Sequence, residues 1–185
     1  MYLIVGLGNP EEEYANTRHN IGFDVINELA KNNKIEIDRK KYNSLYGQGN
    51  IKGEKVILLK PQTYMNLSGV AVRDFKKFFK IEDNKVIIIH DDIDIDVGKV
   101  KIRKIGGAGT HNGMKSVVQE LGGKEFYRVR MGIGKPFITQ DLKDFVLEKI
   151  DKETRQILDE AVCTATKAIE DIMINGIDHA MNQYN

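Results

Sequence analysis

Val86-Ile87-Ile88-Ile89 constrains the fold of this chain more than any other segment. Adjacent β-branched residues favour a pleated strand. No polar residue interrupts them, so neither face of the strand meets water. Such runs belong to central strands with helices packed on both sides. The run leads into His90-Asp91-Asp92-Ile93-Asp94-Ile95-Asp96, a dense polar segment at its carboxyl end. Tyr2-Leu3-Ile4-Val5-Gly6 has the same apolar character and ends in the turn Leu7-Gly8-Asn9-Pro10. Open α/β sheets bind ligands at that edge.

Strand and helix patterns alternate along the rest of the chain. Ile21 to Ala30 places Ile21, Val25, Ile26, Leu29 and Ala30 at helical spacing. Ser44 to Ile51 and Lys55 to Lys60 read as strands joined by Lys52-Gly53-Glu54. Leu67 to Lys80 is predicted helical, with Val70, Ala71, Phe75, Phe78 and Phe79 as its apolar stripe. Lys99 to Ile105 alternates basic residues with Val100 and Ile102, giving a strand with one dry face and one basic face. Asn112 to Leu121 reads as a helix. Phe126 to Ile133 reads as a strand with Arg128, Arg130 and Gly132 on its polar side. Lys152 to Ile174 is a long amphipathic helix with Asp151 as N-cap, Gly176 past its end and Cys163 in its packed face. The expected fold class is α/β: one catalytic domain over residues 1–185, a central twisted mixed sheet flanked by helices.

Composition excludes several classes. A chain of 185 residues with 41% hydrophobic and 30% charged residues buries a core and is neither disordered nor collagen-like. Its single cysteine forms no intrachain disulfide, which fits a reducing cytoplasm. No apolar run reaches the ~20 residues of a spanning helix. The first turn comes too soon for a signal peptide. The four histidines show no ligand spacing, so no metal site is expected. The net charge of +1 hides an asymmetry: residues 97–135 hold 9 basic and 2 acidic residues. That block is a candidate footprint for a polyanion, or else a solvated strand pair balanced by the acidic C-terminal helix.

Several turns carry candidate chemistry. Gly6-Leu7-Gly8-Asn9-Pro10-Glu11 begins like a dinucleotide fingerprint but has Glu11 where the last glycine belongs, so no nucleotide cofactor is expected. Asn9 is either a turn residue bonding its own backbone or a ligand contact at the sheet edge. His19, in the polar run Thr17-Arg18-His19-Asn20, either packs or takes a proton from water. Asp91 either sits in a solvated acidic loop or accepts from an imidazole N–H and orients it. The acidic loop lacks the glycine and glutamate of an EF-hand. Gly106 to Gly113 joins a flexible loop to a helix start, where free amides bind oxyanions. Asn112 there is either an N-cap or an oxyanion donor. With Asn66 it makes Asn9 one of three asparagines at element ends, and carboxamides can grip a peptide backbone.

Together, Val5-Gly6-Leu7-Gly8-Asn9-Pro10, Tyr14, Thr17-Arg18-His19-Asn20, Pro61-Gln62-Thr63-Tyr64-Met65-Asn66-Leu67-Ser68-Gly69, His90-Asp91-Asp92-Ile93-Asp94, Gly106-Gly107, His111-Asn112-Gly113 and Arg128-Val129-Arg130-Met131-Gly132-Ile133-Gly134 resemble the bacterial-type peptidyl-tRNA hydrolase family, in order and across nearly the whole chain. The resemblance implies hydrolysis of the ester between a peptide and the 3′ ribose of tRNA, by a cytoplasmic monomer that needs no cofactor. It implies His19 as catalytic base and Asp91 as its orienting group. It implies Asn9, Tyr14, Asn66 and Asn112 as substrate contacts, and Arg103 and Arg130 as contacts to a tRNA phosphate. Thr110 departs from a common glycine before His111-Asn112-Gly113, and Thr139 and Asp141 stand where some members carry lysine. Two rival readings remain. An aminopeptidase or amidase would normally need a metal cluster or a nucleophile, and the sequence offers neither. A pure RNA-binding module leaves His19 and Asp91 unused.

Overall fold

The structure is a computed structural model that describes residues 1–185. The chain runs β1 (Tyr2–Gly6), α1 (Ile21–Asn32), β2 (Arg39–Lys41), β3 (Ser44–Ile51), β4 (Glu54–Pro61), α2 (Ser68–Phe78), β5 (Val86–Asp92), β6 (Val100–Arg103), α3 (Asn112–Leu121), β7 (Tyr127–Gly132), α4 (Leu142–Leu147), α5 (Lys152–Asn175) and α6 (Ile177–Tyr184). The strands form one sheet in the order β2-β3-β4-β1-β5-β7-β6. Its middle is parallel, with β1 between β4 and β5 and β7 beside β5. Antiparallel pairs close both edges, β2-β3-β4 on one side and β6 on β7 on the other. The sheet is therefore mixed, as the sequence pattern predicts.

The packing explains the uninterrupted apolar run. Ile87 and Ile89 join a core with Ile26 of α1 and Ala165 and Ile169 of α5. Val86 and Ile88 face the other way, into a core with Phe75 of α2 and Val117 of α3. Alternate residues thus enter opposite dry layers, and no position is left for a polar side chain.

Some expectations fail on packing detail. In α2 the buried stripe is Ala71, Val72 and Phe75, whereas Phe78 is 53% exposed. Phe78 instead packs edge-on against Phe79 and lies under the Lys41 ammonium, so exposed aromatics mimic a core stripe. Cys163 is exposed, not buried, because α5 turns Val162 and Ala165 inward instead. The strand β2 and helices α4 and α6 were absent from the sequence reading. The first two are too short to show periodicity. The third restarts straight after Gly176, whose φ of 91° suits glycine.

Candidate active site

The start of α1 is pressed against the carboxyl ends of β1 and β5. A Cβ on Gly22 would lie 2.6 Å from the backbone nitrogen of Leu7 and 2.7 Å from the carbonyl oxygen of Ile89. Only glycine allows this approach. The 3-10 turn Arg18–Asn20, immediately before α1, is thereby brought to the end of β5. Arg18 fastens the turn from the other side. Its guanidinium lies 4.1 Å over the Phe145 ring and donates to the Phe145 carbonyl at 3.1 Å and to Glu148 Oε1 at 2.8 Å.

His19 therefore meets Asp91 at the end of the central strand. Its Nδ1 lies 2.9 Å and 3.1 Å from the two carboxylate oxygens, so Nδ1–H donates to Asp91. Its Nε2 has no protein partner, and the ring lines an open cavity of about 1230 Å3. Asp91 is only 3% exposed, which removes the reading of a solvated acidic loop. Burial lowers the His19 pKa, but the charge and hydrogen bond of Asp91 outweigh it and leave the imidazole above its ordinary value of 6.5. Burial pushes the Asp91 carboxyl up, yet the electrostatic attraction of the His19 and His111 rings and the hydrogen bonds they make hold it well below the usual carboxylate range.

His111 completes a network the sequence did not announce. Its Nε2 lies 2.7 Å from Asp91 Oδ1, and its Nδ1 accepts the Met114 amide N–H at 3.2 Å. His111, not Asn112, is therefore the N-cap of α3. An Asn directly after a His offered two candidate caps, and the sequence alone favoured the commoner type. The donor atoms of His19, Asp91 and His111 lie within 4.8 Å of one another. Both ring nitrogens facing the carboxylate lie within hydrogen-bond distance of it, so the three side chains form one network.

The asparagines separate into one fixed and two open groups. Asn9 does not bond its own backbone. Its N–H donates to Asn20 Oδ1 at 2.8 Å, its carbonyl accepts from Asn20 Nδ2 at 2.9 Å, and its Oδ1 accepts from the Met65 amide at 3.0 Å. Its Nδ2 is the atom left to donate. Asn20 had no expected role, and this clamp is what it does. Asn66 and Asn112 are exposed on the cavity wall. Gly113 lets their two segments meet, since a Cβ there would lie 2.6 Å from Met65 Sδ. Tyr14 does not line the cavity, whereas Tyr64 does, and its hydroxyl donates to Glu11. Both tyrosines lay in the quoted motifs, and nothing in the sequence separated them.

The basic block lies on β6 and β7, which pair antiparallel. The register sets Arg103 opposite Arg128 and Lys101 opposite Arg130, and these four line the cavity. Arg103 and Arg130 are thus diagonal neighbours, not direct ones. Arg130 is engaged by Asp92 at 2.9 Å, whereas Arg103 is exposed and unpaired. Arg128, expected on a polar face, is 1% exposed. It donates to the carbonyls of Phe126, Lys124 and Gly106 and meets no carboxylate. Burial and the neighbouring charges of Arg103 and Arg130 push its pKa down to about 10. Asp141 caps α4 through the Lys143 amide at 2.7 Å, a task lysine could not perform. Thr110 lies on the cavity wall in the turn before His111.

Comparisons with known proteins bear on the chain as a whole. The family model described as peptidyl-tRNA hydrolase matches residues 3–185. A peptidyl-tRNA hydrolase of Thermoanaerobacter sp. strain X514 is 53% identical over the full length of both chains. One from Clostridium beijerinckii is 50% identical over all of this chain and 96% of its own. The crystal structure of peptidyl-tRNA hydrolase from Acinetobacter baumannii superposes with a TM-score of 0.94 at 39% identity, covering 100% of this chain and 94% of that one.

Proposed function

Because this chain belongs to the peptidyl-tRNA hydrolase family, we propose that it hydrolyses the ester joining a peptide to tRNA, with His19 as general base. The observation that carries this reading is the free Nε2 of an imidazole whose Nδ1–H is held by the buried Asp91. A lone pair at Nε2, beside an open cavity, is what a water-activating base requires.

Water gives a proton to His19 Nε2 as its oxygen attacks the ester carbonyl. Asp91 stabilises the imidazolium formed and keeps its proton on the correct face. The first amides of α3, at Asn112 and Gly113, have no backbone acceptor and serve with the Asn112 side chain as oxyanion donors. His19 then returns the proton to the leaving ribose oxygen. Asn9 Nδ2, Asn66 and Asn112 hold the peptide amides. Tyr64 is a better candidate substrate contact than Tyr14, since it borders the cavity. Arg103 and Arg130, with Lys101 beside them, take a tRNA phosphate, and Arg suits its oxygens by its planar fork.

In this reading residues 1–185 act as one catalytic domain, a cytoplasmic monomer that needs no cofactor. No helix is long and apolar enough to cross a membrane. The deciding experiment is release of free tRNA from an N-acylated aminoacyl-tRNA. Release is expected from the wild type and not from His19→Ala. Binding without release by the wild type would favour an RNA-binding module instead.

A further inference from the structure

We propose that His111 is a positioning residue: capping α3 holds it as the Nε2–H tautomer, and it donates that proton to the same Asp91 carboxylate that orients His19, thereby setting how tightly His19 keeps its proton. The inference rests on the reading of His19 as base. It turns on two contacts of one ring. Nδ1 accepts the Met114 amide, so Nδ1 must keep its lone pair. A neutral imidazole then has its only N–H on Nε2, which lies 2.7 Å from Asp91 Oδ1. Protonating Nδ1 would set N–H against N–H and strip α3 of its cap. The helix end thus selects the protonation state of a side chain in the active site.

The consequence for His19 follows from sharing. One carboxylate faces both rings: Asp91 Oδ1 lies 2.7 Å from His111 Nε2 and 3.1 Å from His19 Nδ1, and Oδ2 lies 2.9 Å from His19 Nδ1. A neutral N–H donor stabilises the carboxylate without adding a second positive charge. Part of the carboxylate's pull on the His19 proton is thereby spent, and the base is free at lower pH than Asp91 alone would allow. The surrounding charges leave this balance to Asp91. His90, whose ring is 5.1 Å from His111, donates Nδ1–H to the Asp91 carbonyl, and burial drives it down to about 4, so it stays neutral. Asp92, next on β5, is paired with Arg130, and Arg18, before His19, is paired with Glu148 beyond α4.

Two substitutions separate capping from donation. Asn places its oxygen where Nδ1 of His stands, so His111→Asn keeps the cap and loses the donor. Gln reaches to where Nε2 stands, so His111→Gln keeps the donor and loses the cap. The acid limb of the kcat/KM–pH profile is expected to move up by ~0.5–1 unit in His111→Asn, the equivalent of one charged hydrogen bond partly replaced by water. It is expected to stay at the wild-type pH in His111→Gln, while that variant melts at a lower temperature. NMR titration of the His19 ring should follow the same order independently of turnover. Nitrogen-15 shifts should show His111 as the Nε2–H tautomer near neutral pH. An unmoved or lowered limb in His111→Asn overturns the proposal, as does an equal rise in His111→Gln or a proton on His111 Nδ1. Retained turnover in His19→Ala is a different result, which removes the base itself.

Discussion

The two polar regions of the cavity are built on opposite terms. At the end of β5 the one carboxylate is fully matched and only His19 Nε2 is left open: Asp91 receives an N–H from both His19 and His111, and His111 in turn receives the Met114 amide. On β6 and β7 the cations outnumber their anions. Arg130 has Asp92, but Arg103 has no partner and Arg128 rests on carbonyls alone. The first region is complete without substrate, as a preorganised proton-transfer site should be. The second carries more positive charge than the chain's own carboxylates balance. The contrast implies a division of labour, with chemistry at one end and grip at the other.

The largest effect should come from breaking the complete region. His19→Ala is expected to lower kcat by ~10²–10⁴-fold with the fold intact. Near-normal turnover in a folded variant would remove His19 from the mechanism. The pH dependence has a definite sign. The base must be neutral, and its pKa is raised, so kcat/KM should fall as pH drops through a value above 6.5. An acid limb centred below the ordinary imidazole value would contradict the Asp91 pairing.

Asp91→Asn tests the same region more narrowly. Two imidazole N–H groups would then compete for one amide oxygen. The amide NH₂ needs a ring lone pair opposite it. If His19 provides it, the proton moves to Nε2 and the base is blocked; if His111 provides it, the cap on Met114 is lost. A fall in kcat of about 10²-fold is expected with KM little changed, because the wrong tautomer impairs chemistry and not binding. Wild-type kcat would show that the carboxylate does not orient His19.

Breaking the incomplete region should read out differently. Arg103→Ala is expected to raise KM about tenfold, the loss of one charge-assisted contact, with kcat nearly unchanged. The slope of log K against log[salt] should shrink by ~0.7–0.9. A minimal ester carrying only a short 3′ fragment should be indifferent to the change. Equal damage with the fragment and with full tRNA would place Arg103 in the catalytic region and end the division.

The two regions were not equally legible in the sequence. The mixed sheet followed from apolar runs and alternation, because burial on both faces of β5 leaves no other pattern. The His19–Asp91 pair followed from the family resemblance; the residues alone offered an imidazole after the β1 turn and a carboxylate at the end of β5 without joining them. His111 was hidden because its role depends on which of two adjacent residues caps α3, and residue type and spacing do not separate them. Asn20 was hidden because clamping Asn9 is a contact across eleven residues that no local pattern encodes. The basic face of β6 was legible as alternation. Its pairing was not, since register decides that Arg103 meets Arg128 and not Arg130.

The smallest effect sharpens the contrast without touching turnover. If the β6–β7 arginines lack an anion, inorganic phosphate should stabilise the folded protein by binding there. At ten times its Kd the gain is about 1.4 kcal/mol. For a chain of this length that is a rise in Tm of roughly 3–6 °C. His19→Ala should show the same rise, because the catalytic network already has its charges matched. Arg103→Ala should lose most of it, which also separates specific binding from the general stabilisation that phosphate gives any folded surface. The buried Arg128 makes the sign firm: burial and two like charges oppose its protonated state, and an anion beside Arg103 relieves that repulsion. An equal Tm rise in wild type and Arg103→Ala would mean that the strand pair is already balanced and that its arginines are not waiting for a phosphate.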